Sequence, residues 1–147
     1  MKIVIGCDHA GYEIKQSVKD ALYTSLMKKD DTTRFHDVGC DSLDSVHYPE
    51  YGKTVAVEVA FKDADYGILI CGTGIGMSMV ANKVKGIRAA LCHDVYTATM
   101  ARQHNNANIL CMGARVVTPY QAINIANTFF ETDFLGGRHE VRVKMID

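Results

Sequence analysis

The sequence predicts an α/β fold, a three-layer α/β/α sandwich around a five-stranded parallel sheet. Three observations carry that prediction. Short apolar runs alternate with amphipathic stretches five times over, the pattern of parallel strands covered by helices. The run Tyr66–Ile70 (YGILI) is apolar almost without a break, which suits a strand enclosed on both faces. The chain has 147 residues, 48% of them hydrophobic, so positions 1–147 read as a single domain. A chain of this length buries roughly two-thirds of its unfolded surface and needs no staples.

The elements follow in order. Lys2–Gly6 (KIVIG) reads as the first strand and Gly11–Lys28 as the first helix. Arg34–Val38 (RFHDV) is the second strand. The helix Pro49–Phe61 places Val55, Val59 and Ala56, Ala60 at helical spacing, with Pro49 in its first turn. Tyr66–Ile70 is the third strand, Gly76–Lys83 a helix and Ile87–Leu91 (IRAAL) the fourth strand. In the helix Val95–His104, Tyr96, Met100 and His104 fall on one face. Asn108–Cys111 (NILC) is the fifth strand and Pro119–Phe130 the last helix. The crossovers are expected to be right-handed. No repeat, low-complexity tract or internal linker interrupts the series.

Composition removes several function classes. Sixteen Lys and Arg balance 17 Asp and Glu, for a net charge of −1. Such a chain has no net field to draw in nucleic acid or an anionic membrane. The five cysteines (Cys7, Cys40, Cys71, Cys92, Cys111) are widely spaced and form no CxxC pair. A zinc ribbon or a local dithiol redox motif therefore has no support, and a reducing compartment suits the set. The apolar run at the N-terminus is too short for a signal sequence, and no stretch approaches the roughly 18 apolar residues of a membrane span. The expected location is the cytoplasm.

Four constellations can carry chemistry. Cys71-Gly72-Thr73-Gly74-Ile75-Gly76 follows the third strand and opens a helix. Alternate glycines let the backbone turn sharply with its N–H groups pointing inward, which makes a site for a phosphate or an enolate-like oxyanion. The spacing is GxGxG, so a dinucleotide fingerprint fits poorly. Cys71, at the head of the loop, is positioned as a base or nucleophile. Asp8-His9 lies just past strand one, at the edge where open α/β sheets bind ligands, although Asp8 also suits a helix cap. Arg102-Gln103-His104-Asn105-Asn106 precedes strand five. His104 fits either a dipole partner at a helix end or a proton shuttle. Arg115, Arg138, His139 and Arg142 form a basic set, and Arg138 and Arg142 share a face if that segment is helical, a fork for phosphate oxygens. Four of the five strands are expected to end at or beside a cysteine (Cys7, Cys71, Cys92, Cys111), although Cys also serves as a small buried hydrophobe.

Five separated segments carry a resemblance over essentially the whole chain: GCDHAG, ILICGTGIGMSMVANKVKGIRAALC, RQHNNAN, GARVV and GGRHEVRV. Together they resemble the ribose-5-phosphate isomerase B family, a group of sugar-phosphate isomerases. The resemblance implies a flavodoxin-like fold, a homodimer or larger assembly with shared active sites, and a metal-free interconversion of D-ribose 5-phosphate and D-ribulose 5-phosphate with no cofactor. By position, Cys71 matches the family's proton acceptor and His104 the residue that assists ring opening. The implied substrate contacts are Asp8, His9, Gly72, Thr73, Gly74, Ile75, Gly76, Asn105, Arg115, Arg138, His139 and Arg142, some of them from the other subunit. A second branch of the family uses a Glu at the position of Met77, and Met77 cannot take a proton. One departure is His47, before Tyr48-Pro49, where family members often have an acid. A His there resembles one subunit type of the galactose-6-phosphate isomerases, while RQHNNAN and the Arg138/Arg142 pair resemble the ribose enzyme. The fold also leaves room for a flavin- or mononucleotide-binding module, or for a phosphoacceptor, which needs an acid where this chain has Cys71.

Overall fold

The computed structural model describes residues 1–146. Five strands form one all-parallel sheet: β1 (Lys2–Cys7), β2 (Arg34–Asp37), β3 (Tyr66–Cys71), β4 (Ala89–Leu91) and β5 (Ile109–Gly113), in the order β2-β1-β3-β5-β4. Six helices accompany it: α1 (Tyr12–Met27), α2 (Tyr48–Ala60), α3 (Ile75–Ala81), α4 (Val95–Asn105), α5 (Pro119–Glu131) and α6 (Arg138–Val143). A single 3₁₀ turn, His9–Gly11, precedes α1. The predicted three layers are present.

Strand alternation sorts the core into two clusters. Ile3, Ile5, Ile68, Ile70, Leu110 and Met112 face one way and pack on Val18 and Leu22 of α1 and Ile125 and Phe129 of α5. Val4, Leu69, Cys71, Ile109 and Cys111 face the other way, onto Val55 and Val59 of α2 and Met77 of α3. Each inner strand is enclosed on both sides, which is why β3 and β5 are apolar throughout. Reciprocal capping starts two helices: Asp94 with Thr97 for α4, and Thr118 with Gln121 for α5.

Three expectations need correction. Strand β4 is only Ala89–Leu91. Ile87 is buried but closes a turn on Val84 before pairing begins. Strand β5 runs on to Gly113, so Cys111 lies inside it opposite Leu69 and Leu91, not at its end. Cys7 and Cys71 do end their strands and Cys92 follows β4. The cysteines therefore do not all line one edge. Finally, α6 was not among the predicted helices. Its six residues carry no apolar stripe long enough to read as periodic, and it begins after Gly136 and Gly137, both at positive φ.

Candidate active site

The carboxyl edge of β1 and β3 gathers the first group of predicted residues. Asp8 is buried; its backbone N–H donates to Ile70 O at 3.2 Å and its Oδ1 accepts the Gly11 N–H at 3.1 Å. The capping reading of Asp8 is therefore correct at one oxygen. His9, half-buried, accepts the Val46 N–H at Nδ1 (3.3 Å).

Cys71 ends β3 with its side chain only 5% exposed. Its Sγ accepts the Gly74 N–H at 3.2 Å, an amide aimed at sulfur, which accommodates negative charge there. Gly74 makes this turn because its φ of 77° is left-handed, and a Cβ there would lie 2.5 Å from Leu91 and 2.8 Å from the Met112 backbone. The Thr73 hydroxyl accepts the Ile75 N–H at 3.3 Å, and both residues are exposed at the rim. Arg115, from the loop after β5, lies over Gly72. Its backbone N–H donates to Gly72 O, and its guanidinium approaches within 3.3 Å of the place a Gly72 Cβ would occupy. Tyr48, to which no role was assigned from sequence, packs its ring on Gly76. Its signal was positional: it opens α2 at the same carboxyl edge as the glycine loop.

The second group lies elsewhere. Helix α4 begins beyond β4 and runs back, so His104 and Asn105 sit at the amino edge. There Arg88 Nε donates to Asn105 O at 3.1 Å. Register places Ile109 opposite Gly67 and Gly113 opposite Cys71. The two edges at which the groups lie are therefore about 13 Å apart along the strands, at 3.3 Å per residue. Helix α6 packs on α4. The rings of His104 and His139 stack with centroids 4.1 Å apart and planes 6° apart. His139 is buried between that ring and its own helix, and Arg138 and Arg142 are exposed on either side of it. Burial, then the charges of His104, Arg138 and Arg142, hold His139 below the usual histidine range.

Arg102 belongs to the frame and not to the ligand face. It is 6% exposed and donates to Ala107 O (2.6 Å), Asn106 Oδ1 (3.0 Å), Thr132 O (3.3 Å) and the Tyr66 hydroxyl (3.3 Å). These bonds pin the end of α4, where Asn106 turns at φ 45°, and so set the position of His104.

Cys7, Cys92 and Cys111 are not poised for proton transfer. Burial pushes the Cys92 thiol up to about 12, and burial also raises the Cys7 and Cys111 thiols. Met77 is fully enclosed among the residues of α2 and α3. His47 precedes α2 without a side-chain capping bond and is exposed.

Cys71 lines neither of two cavities found elsewhere on the molecule. One, of about 670 Å³, runs along the open edge of β4 and is lined by Arg88, Leu91, Tyr96, Met100 and Asn105. Exposed Ile75, Met79, Val95 and Tyr96 surround that edge. No helix among the described residues is long and apolar enough to cross a membrane.

An all-parallel five-stranded sheet of this order, with a thiol and a glycine loop at its carboxyl edge, defines a flavodoxin-like α/β enzyme fold. Comparison with known proteins narrows the class. A family profile described as Ribose/Galactose Isomerase matches residues 3–146, and the chain belongs to that family. It is 47% identical to the ribose-5-P isomerase B of Listeria innocua, covering 100% of this chain and 95% of that one. Ribose-5-phosphate isomerase B of Clostridium thermocellum superposes with a TM-score of 0.91 at 46% identity, covering 99% of this chain and 95% of that chain. The ribose 5-phosphate isomerase of Thermotoga maritima also gives 0.91, at 47% identity and covering 99% and 97%.

Proposed function

We propose that this chain interconverts D-ribose 5-phosphate and D-ribulose 5-phosphate, as a cytoplasmic, metal-independent enzyme of the non-oxidative pentose phosphate branch. The observation that carries the reading is the Cys71 sulfur held by the Gly74 amide at the head of the glycine loop, with Arg115 across it. The ribose-5-phosphate isomerases to which the chain is similar supply the substrate class.

The active unit is a homodimer. Within one chain His104 and the α6 arginines are too far from Cys71 to share a sugar with it. The exposed apolar edge of β4, α3 and α4 suits a second copy of the chain. A site would then combine Cys71, Asp8, His9, the Gly72–Gly76 loop and Arg115 of one subunit with the partner subunit's His104, Asn105, Arg138, His139 and Arg142.

The sugar arrives mainly as a closed ring. The partner's His104 takes the proton of the anomeric hydroxyl and returns one to the ring oxygen, opening the ring, while Asp8 orients the sugar hydroxyls. Cys71, as thiolate, removes the proton from carbon 2. The electron pair forms the cis-enediolate, whose oxygen charge is met by the loop amides and the Thr73 hydroxyl. The hydroxyl proton on oxygen 2 passes to oxygen 1, and Cys71 delivers the carbon proton to carbon 1, completing the aldose-to-ketose shift. His9 and the arginines grip the phosphate, which holds the reacting carbons at the sulfur.

Replacing Cys71 by Ala is the direct test. Exchange of solvent deuterium into carbon 2 should stop while inorganic phosphate still binds, and retained exchange removes Cys71 as the base. Side-by-side turnover of ribose 5-phosphate, allose 6-phosphate and galactose 6-phosphate tests the substrate. The His47 position makes the galactose arm the informative one, and faster turnover there overturns the pentose assignment.

A further inference from the structure

We propose that Cys7 and Cys40 form a peroxide-responsive dithiol that closes to a reversible disulfide. The two residues are 33 positions apart in sequence, so no local motif announces them. The fold lays the segment after β2 alongside the end of β1. The Cys40 N–H donates to Cys7 O at 3.2 Å, and Gly39 permits the approach, since a Cβ on it would lie 2.3 Å from the Cys7 nitrogen. The sulfurs are 3.6 Å apart, in contact but unbonded. Backbones hydrogen-bonded side by side are within the span a disulfide bridges, so closure needs side-chain rotation and little backbone movement.

The surroundings distinguish the two sulfurs. Cys7 is fully enclosed. Cys40 lines a second cavity, of about 540 Å³, together with Tyr12, Lys15, Asp37, Asp41 and Tyr51. Cys40 is 5% exposed against 0% for Cys7, so an oxidant arriving through that cavity meets Cys40 first. The Lys15 ammonium donates to Cys40 O at 2.9 Å and is ion-paired with Asp37 at 2.7 Å beside the site. Cys40 sulfur attacks one peroxide oxygen and the O–O bond breaks, giving a sulfenic acid and one water. Cys7 sulfur then attacks Cys40 sulfur. The S–S bond forms, the S–O bond breaks, and the departing hydroxide leaves as a second water with the Cys7 proton. Two thiols supply the two electrons, and a small dithiol reverses the reaction. Burial raises the Cys7 thiol, so Cys7 acts as the resolving partner and Cys40 as the thiol that meets the oxidant.

The link ties the start of the Asp8-His9 turn to the loop leading to Val46, whose amide bonds His9. This inference does not depend on the catalytic role of Cys71. The test treats the full chain, and a Cys71→Ser variant, with hydrogen peroxide, blocks the remaining thiols after denaturation, and maps peptides without reduction. The expected result is a Cys7–Cys40 linked peptide two hydrogens lighter than its parts in both proteins, lost with dithiothreitol. The melting temperature of the oxidised form should rise by about 5–10 °C, as expected for closing a loop of this length. Cys40→Ser should lack both the peptide and the rise. Alkylatable Cys7 and Cys40 after peroxide has fully oxidised Cys71 in the wild-type chain overturn the proposal. The mapping of the wild-type chain decides the matter even where Cys40→Ser folds poorly.

Discussion

Asp37 shows how single residues were only partly legible. From sequence it is one acid within the predicted strand Arg34–Val38, with no role assigned, yet it receives Lys15 Nζ and Lys19 Nζ, each at 2.7 Å. Burial alone raises its carboxyl, but the hydrogen bonds and charges of the two lysines outweigh burial and hold it below the usual range. A carboxylate depressed in the folded state adds stability above its unfolded value near pH 4, and that stability is lost as the pH falls through the lower folded value. Asp37→Asn should therefore flatten the loss of urea stability between pH 5 and pH 3; an unchanged slope there removes the pair from the acid limb. Arg138 and Arg142 belong to the same scale. Each is exposed and four residues from the other, so replacement by Ala should spare the fold and raise KM about 10–100-fold, the effect of one charge-assisted phosphate contact. Unchanged competition by inorganic phosphate in these variants would remove them from the phosphate site. Their spacing was visible in sequence. That Arg102 is buried structure and not a ligand was not, because its acceptors come from Ala107 and from Thr132, thirty residues on.

At the scale of elements, the strand–turn–helix unit β3–α3 was the most legible part. Its signals are local: a continuous apolar run, then glycines that only one backbone path can use. Gly74→Ala should cost roughly 2–4 kcal/mol in denaturant titrations, because both its left-handed φ and the space taken by Leu91 and Met112 reject a methyl group. A loss under 0.5 kcal/mol means that the loop relaxes freely. Helix α6 illustrates the opposite case. It is held by the stacking of His139 on His104 of α4, a contact between residues 35 positions apart that leaves no periodic trace. A histidine held below its unfolded value near pH 6.5 favours the folded state while neutral, and that contribution is lost as pH falls from 6.5 toward the folded value. The melting midpoint should thus drop between pH 7 and pH 5, and His139→Phe, which keeps a ring to stack, should reduce the drop. An equal drop in both proteins would locate the acid sensitivity elsewhere.

At the scale of the whole molecule, the proposed site exists only between two chains, and this can be tested by mixing. Cys71→Ala and His104→Ala homodimers should each be inactive. After denaturation and joint refolding, half of the dimers carry one of each subunit, and one of their two sites has both native residues. Activity should return to about a quarter of the wild-type value if sites are shared across a two-fold interface. No recovery, with mixed dimers demonstrated by mass spectrometry, means that each chain works alone. The sequence by itself determined the layer architecture, the strand–helix order and the glycine loop with its thiol, because each depends on residues within a few positions of one another. It also carried the family resemblance, which rests on five short segments. Tertiary structure alone decided that Cys71 and His104 lie at opposite edges of the sheet, that Arg102 is a strut, and that Cys7 meets Cys40. Those facts follow from strand order and crossover path, which bring distant positions together or hold them apart, and neither is written in the local spacing of side chains.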